Sequence, residues 1–155
     1  MKSIVVAALL IATPALAETS VSPTSAAHVE VMAALSATMA AINNRDADGF
    51  VALQHPTMQI QIVATAPDGS TSLSIVPGKT FADGMRSSKA PIDERLVAPT
   101  VLVTNDFAHV WSFYTLDVGG KRMHCGIDSF GFIKTGGKWL LTNMAWTREP
   151  QGCPK

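Results

Sequence analysis

Residues 107–147 read "FAHVWSFYTLDVGGKRMHCGIDSFGFIKTGGKWLLTNMAWT", and the way this stretch divides decides the fold. Two Gly-Gly pairs, at 119–120 and 136–137, interrupt runs rich in aromatic and β-branched residues. Adjacent glycines supply the positive φ angles of a two-residue hairpin turn, so each pair joins antiparallel strands. Upstream, "LVAPTVLVT" from residue 96 has the same texture and is separated from Phe107 by Asn105-Asp106. The C-terminal half therefore reads as a four-stranded antiparallel meander.

The N-terminal half has a different period. In "AAHVEVMAALSATMAAINN", Val29, Met32, Leu35, Met39 and Ile42 recur at spacings of three and four, which makes one apolar stripe on a helix. Ser25 is placed to cap its start and Asn43-Asn44 to end it. Asp46 can cap a short second helix, "ADGFVALQ", that offers Phe50 and Leu53 to the same core. "TMQIQIVAT" alternates as a strand, "PDGS" at 67–70 is a turn, and "TSLSIV" is its partner strand. "KTFADGMRSS" after Pro77-Gly78 is a short helix, and "APIDER", with prolines 91 and 99 near its flanks, reads as irregular. Helices followed by a meander they can cover make an α+β layer fold.

The chain of 155 residues is 47% hydrophobic and 15% charged, long enough for one domain with a real core. Part of the apolar excess lies in "MKSIVVAALLIATPALA", where a lysine precedes a short apolar run and Ala15-Leu16-Ala17. That layout is a secretory signal peptide over 1–17, cleaved after Ala17. A polar leader follows at 18–25, one domain at 26–149 and a tail at 150–155. The expected location is periplasmic or secreted. The apolar run is too short to span a bilayer, and no cysteine near the cleavage site suggests a lipid anchor. Twelve basic and twelve acidic side chains balance, and no basic stripe is present to neutralise nucleic-acid phosphates. Neither a phosphate-cradling glycine loop nor an HExxH or GxSxG motif occurs, and no cofactor or metal is called for. The two cysteines, Cys125 and Cys153, read as a disulfide in an oxidising compartment. It would close a loop of about 28 residues and contribute roughly 3 kcal/mol. A zinc site competes weakly, because His124 and Cys125 are adjacent and point to opposite faces of a strand.

The order of motifs in "NDFAHVWSFYTLDVGGKRMHCGIDSFGFIKTGGKWLLTNMAWTREPQGC" resembles the nuclear transport factor 2-like superfamily, and within it exported members of the SnoaL-like branch. The matching features are the D-x-A-x-V-W strand entry, the G-K hairpin, H-C-G-x-D-x-F, G-x-W and the final cysteine. The motifs span 105–153, the topology about 26–149. The resemblance implies a cone: N-terminal helices packed in a strongly bent antiparallel sheet, with a pocket in its concavity. Homodimers are frequent in that superfamily, and pocket acids, histidines and tyrosines often move protons there without a cofactor. It holds ketosteroid isomerase-like, dehydratase and cyclase-like enzymes and also non-catalytic binding domains, so fold does not decide function.

Register proposes the pocket. Counting outward from Val118 opposite Lys121 sets His109 against Phe130, Trp111 against Asp128, Phe113 against Gly126 and Thr115 against His124. Counting from the second glycine pair sets Phe130 against Asn143 and Asp128 against Ala145. Paired residues share a face, so His109, Trp111, Phe113, His124, Asp128, Phe130 and Asn143 would line the concave side. Tyr114, Cys125, Met144 and Trp146 would lie on the other. Asp128 among aromatic rings should hold its proton tightly and act as acid or base, with His109 diagonal to it at roughly 7 Å. The ligand-binding set is Trp111, Phe113, His124, Phe130 and Asn143. This pattern suits a pocket protein for a small apolar or aromatic molecule, because no second acid and no tyrosine shares the face of Asp128. A cofactor-independent isomerase or dehydratase using Asp128 and His109 is the alternative. A dimeric interaction domain using the apolar convex face is the third.

Overall fold

A computed structural model describes residues 25–149 and 151–154. The signal-peptide pattern at 1–17 and the leader up to residue 24 lie outside the described residues. Three helices and six strands follow in the order α1 (Ala26–Asn43), α2 (Ala47–Ala52), β1 (Gln54–Thr65), β2 (Thr71–Pro77), α3 (Gly78–Ser87), β3 (Ile92–Thr104), β4 (Phe107–Val118), β5 (Lys121–Thr135) and β6 (Lys138–Arg148). The strands form one curved sheet in the order β2-β1-β6-β5-β4-β3. Neighbours run antiparallel except β1 and β6, which are parallel. The helices sit in the concavity, giving the expected α+β architecture.

Local chemistry sets the element ends. Ser25 accepts from the His28 amide and Asp46 from the Gly49 amide, so both helix starts are capped as expected. The buried face of α1 is turned from the expected stripe: Val31, Leu35, Thr38, Ala41 and Ile42 are buried while Val29 is 59% exposed. This helix is apolar nearly all round, so spacing alone could not single out one face. Thr38 meets its buried hydroxyl by donating to the Ala34 carbonyl at 2.9 Å. Opposite α1, Ile60, Val110, Phe130, Phe132 and Leu141 are essentially inaccessible, each contributing about 1.5–3 kcal/mol by burial.

Both glycine turns form as anticipated, with φ of 58° and 76° at Gly119-Gly120 and 56° and 77° at Gly136-Gly137. The register does not stay constant beyond them. Val118 pairs with Lys121 and Asp117 with Arg122, but Leu116 then pairs with His124, so Met123 is an extra residue in β5. In β6 the extra residue is Thr142, between Leu141 opposite Phe132 and Asn143 opposite Gly131. Its hydroxyl donates to the Gly131 carbonyl at 3.0 Å, occupying the gap the bulge opens. Each bulge shifts pairing by one, and a one-residue shift moves a strand's side chains to the opposite face. The face assignment of β4, and that of β6 from Asn143 onward, is thereby reversed from the counted one.

β3 also begins earlier than expected. Ile92–Arg95 is regular strand paired to β4, and the irregularity sits at Ala98-Pro99, where the pairing shifts between Val97 and Thr100. Ala98 takes φ 48° there. Ser112 compensates, its hydroxyl accepting from the Val97 amide at 3.1 Å.

Candidate functional site

The bent sheet does not close on α1 along its whole length. At the end near the β4–β5 turn it leaves a cavity of about 460 Å³, roofed by α3 through Phe81 and Met85 and closed at one side by Ile42 and Arg45. Its walls are mostly apolar, with a few polar groups converging, as in small-molecule sites. Phe81 packs edge-on against Trp146, ring centroids 5.7 Å apart. The polar groups are Glu94 from β3, Tyr114 from β4, His124 and Asp128 from β5, and Arg148 from β6.

Asp128 lies in mid-sheet, paired with Ser112 on one side and Trp146 on the other, and is 2% exposed. Glu94 lines the same cavity from β3, and each carboxyl affects the ionisation of the other. Burial raises Asp128 well above the usual carboxylate range, and the charge of Glu94 adds to this. Burial raises Glu94 too. Two acids that raise and couple to one another in an apolar cavity resist ionising together, so their protons come off as those of a pair. Asp128 Oδ2 remains buried with no partner in the protein. The Glu94 backbone is held on both sides by Asn43, which donates Nδ2–H to its carbonyl at 2.9 Å and accepts from its amide at 2.7 Å.

The second constellation is Tyr114 with His124. The tyrosine hydroxyl donates to the Thr147 carbonyl at 2.8 Å and lies 2.9 Å from His124 Nδ1. Its one proton is committed to Thr147, so it accepts from Nδ1–H and leaves Nε2 as the unprotonated nitrogen. Burial and the nearby Arg148 charge lower His124 to about 4, so the ring is neutral at physiological pH. Burial, then the charges of Asp128 and Glu94, raise the Tyr114 hydroxyl above its ordinary value. Gly126 pairs with Tyr114, and a Cβ there would collide with the Thr147 backbone. A glycine is what allows β6 to approach and present that carbonyl.

Of the residues expected in the pocket, Asp128 and His124 line it. Phe130 faces the same side but lies in the closed core beneath α1. His109, Trp111, Phe113 and Asn143 belong to the reversed faces and lie on the convex side, away from Asp128. His109 Nε2 is 3.3 Å from the Ser129 hydroxyl there, and Trp111 is 53% exposed. Tyr114 and Trp146, expected on the far side, line the cavity. Glu94 was outside the expected set altogether; its signal was Ile92, Glu94 and Leu96 alternating with Asp93 and Arg95. The disulfide between Cys125 and Cys153 forms as expected, with Cα atoms 5.6 Å apart, and suits an oxidising compartment. Cys125 points away from the cavity while its neighbour His124 points in. Among the described residues, no three His, Cys, Asp or Glu side chains group as metal ligands.

Solved structures share this architecture. A nuclear transport factor 2-like protein of unknown function from Pseudomonas putida KT2440 superposes with a TM-score of 0.59 at 20% identity, covering 79% of this chain and 86% of its own. The chain has the nuclear transport factor 2-like fold. A Streptomyces avermitilis protein assigned as a dehydratase of the nuclear transport factor 2-like family matches at TM-score 0.57 and 16% identity, over 77% of this chain and 94% of that one. The β subunit of a protein assigned as an aromatic-ring-hydroxylating dioxygenase, from Novosphingobium aromaticivorans, matches at 0.62 and 12%, over 79% and 89%. No sequence-family model and no curated protein matches the chain. At these identities the likeness of a nuclear transport factor 2-like neighbour is one of fold, and chemistry has to be argued from the cavity.

Proposed function

We propose that this chain is an exported SnoaL-like acid–base enzyme that isomerises or dehydrates a small, mainly apolar molecule with its own side chains. The observation that carries this is the carboxyl pair: Asp128, buried and with one oxygen unpartnered, shares the wall of an apolar cavity with Glu94. The face of Asp128 holds both a second acid and a tyrosine, the two groups whose expected absence favoured simple binding.

A pair holding one proton can act as base and acid in one turnover. The ionised carboxyl takes a proton from carbon while the protonated one donates to oxygen. In a dehydration the C–H and C–O bonds break, a C=C bond forms and water leaves; in an isomerisation the proton returns at another carbon. Either way the pair ends with the single proton it began with. His124, neutral and fixed through Nδ1 by Tyr114, offers Nε2 as an acceptor that orients a substrate hydroxyl.

Native mass spectrometry of protein purified from its own host will identify a bound small molecule, which is then returned to wild-type and Asp128→Asn protein in D₂O. Deuterium uptake at carbon or loss of water in the wild type, absent from the variant, is the expected result. A ligand that stays bound but unchanged in the wild type would leave a binding protein.

Two further expectations belong to this reading. The signal-like segment and the disulfide support a periplasmic or secreted protein with cleavage after Ala17; the mass of the exported chain tests this. On the convex face, Val97 and Leu102 of β3 and Trp111 of β4 are exposed side by side, an apolar surface that supports a homodimer. Sedimentation of wild type against Trp111→Asp tests it, a dimer becoming a monomer.

A further inference from the structure

Arg148 is the exception among the arginines. Arg86 pairs with Asp48 and Asp83, Arg95 with Asp93 and Arg122 with Asp117. Arg45 donates Nε–H to the Ala90 carbonyl at 2.8 Å. Arg148 has no hydrogen-bond or ion-pair partner among the described residues, and it completes the inward row Met144, Trp146, Arg148 on the cavity wall. Its backbone is fixed on both sides. The Thr147 carbonyl accepts from Tyr114 at 2.8 Å. Glu149 exchanges two backbone hydrogen bonds with Cys125, at 3.1 and 2.9 Å, and the Cys125–Cys153 disulfide lies beside that bridge. Arg148 is exposed while lining the cavity, so its unpaired guanidinium is carried on a fixed strand end at the solvent side of the cavity, where it is free to meet an anion.

Position and charge define the anion. Trp146 pairs with Asp128, so Arg148 lies two residues further along β6, about 7 Å by strand rise. The titratable groups facing the cavity are Arg45, Glu94, Tyr114, His124, Asp128 and Arg148. Tyr114 and His124 are neutral. Arg45 and Arg148 thus bring two permanent positive charges to the cavity wall beside two acids that resist ionising together.

We propose that the cavity takes a small monoanion, a cyclic or short-chain carboxylate whose carboxylate is bound by Arg148 and whose reacting carbon sits against Asp128 about one ring-width away. This rests on the reading of the cavity as the reaction site. Arginine is suited to the task because its planar fork matches a carboxylate with two hydrogen bonds.

The test is a ¹⁹F NMR titration of the wild-type protein with 4-fluorobenzoate and with 4-fluorobenzamide, its uncharged counterpart, repeated with Arg148→Gln and Arg148→Lys. The benzoate should bind about ten-fold more tightly than the amide to wild type, a charge-assisted preference. Arg148→Gln should abolish the difference and Arg148→Lys should keep part of it, with all three proteins melting alike without ligand because Arg148 makes no contact that supports the fold. Equal binding of acid and amide to wild type would overturn the anion proposal and leave the cavity as a ligand site. A preference that survives in Arg148→Gln would overturn the role of Arg148. Binding of neither probe would overturn both the proposal and the reading on which it rests.

Discussion

The two faces of β4 and β5 carry the same kinds of residue and do different things. On the convex side lie His109, Trp111 and Phe113, with Asn143 from the adjacent β6. On the concave side lie Tyr114, His124 and Asp128, with Glu94 alongside. Residue types alone would favour neither. The difference is enclosure: the convex histidine meets a serine at 3.3 Å on an open surface, whereas the concave histidine is 9% exposed and held by a buried tyrosine. Enclosure also withholds water from Asp128 and leaves one of its oxygens without a partner. A cluster of polar side chains becomes a candidate site when the fold removes solvent and leaves hydrogen-bonding capacity unused.

The largest effect that can break this comparison is on turnover. Asp128→Asn should lower the rate by about 10²–10⁴-fold, the usual contribution of a positioned acid or base. His109→Asn, on the convex side, should stay within about two-fold of wild type by the same reasoning. Equal losses measured for the two variants on the recovered ligand would mean that the faces are not functionally distinct. Next in size is the disulfide. Cys153→Ser should cost about 3 kcal/mol in urea unfolding, and by loosening the strand end that carries Arg148 it should also weaken carboxylate binding. Unchanged stability would detach the tail from the concave wall. Tyr114→Phe removes the hydroxyl shared by Thr147 and His124. It should cost about 1–2 kcal/mol and lower the His124 midpoint further from about 4, because the protonated ring loses an acceptor, read by NMR titration.

The smallest effect is a dependence of stability on pH. The carboxyls of Asp128 and Glu94 are raised in the folded chain, so the unfolded chain binds fewer protons and stability falls as pH rises toward the folded values. His124 acts oppositely. Lowered to about 4, it costs stability as pH falls below the unfolded histidine value near ~6.5. Between about pH 6.5 and 8 the acid pair acts alone. Wild-type thermal stability should decline across that window by up to about 1.4 kcal/mol per pH unit for each proton the folded pair retains, and Asp128→Asn should flatten the decline. A steeper decline in the variant would assign the effect to another group.

Much of the fold was legible because it rests on local chemistry. Paired glycines specify turns, Ser25 and Asp46 specify helix starts, and alternation specifies strands. The site was half legible. Asp128 and His124 belong to one strand, so alternation alone puts them four residues apart on one face. Tyr114 and Trp146 required the register across two hairpins, and the bulges at Met123 and Thr142 have no marker in the sequence. A bulge is stabilised by tertiary neighbours, such as the Thr142 hydroxyl on the Gly131 carbonyl, and not by local propensity. Glu94 was hidden differently. The flanking prolines made 90–95 look irregular, although the break is accommodated at Ala98-Pro99, where Ser112 takes up the Val97 amide. Glu94 shares the cavity with Asp128 across the intervening β4, a proximity that alternation within one strand does not show.

The central claim is that Asp128 and Glu94 share one proton inside the cavity. Carboxyl ¹³C NMR of Asp128, recorded against pH in wild type and in Glu94→Gln, tests it most directly. The expected result is a wild-type midpoint raised clearly above the ordinary value of ~4, and a lower midpoint in Glu94→Gln once the second charge is gone. A wild-type midpoint near ~4 that Glu94→Gln leaves unmoved would contradict it.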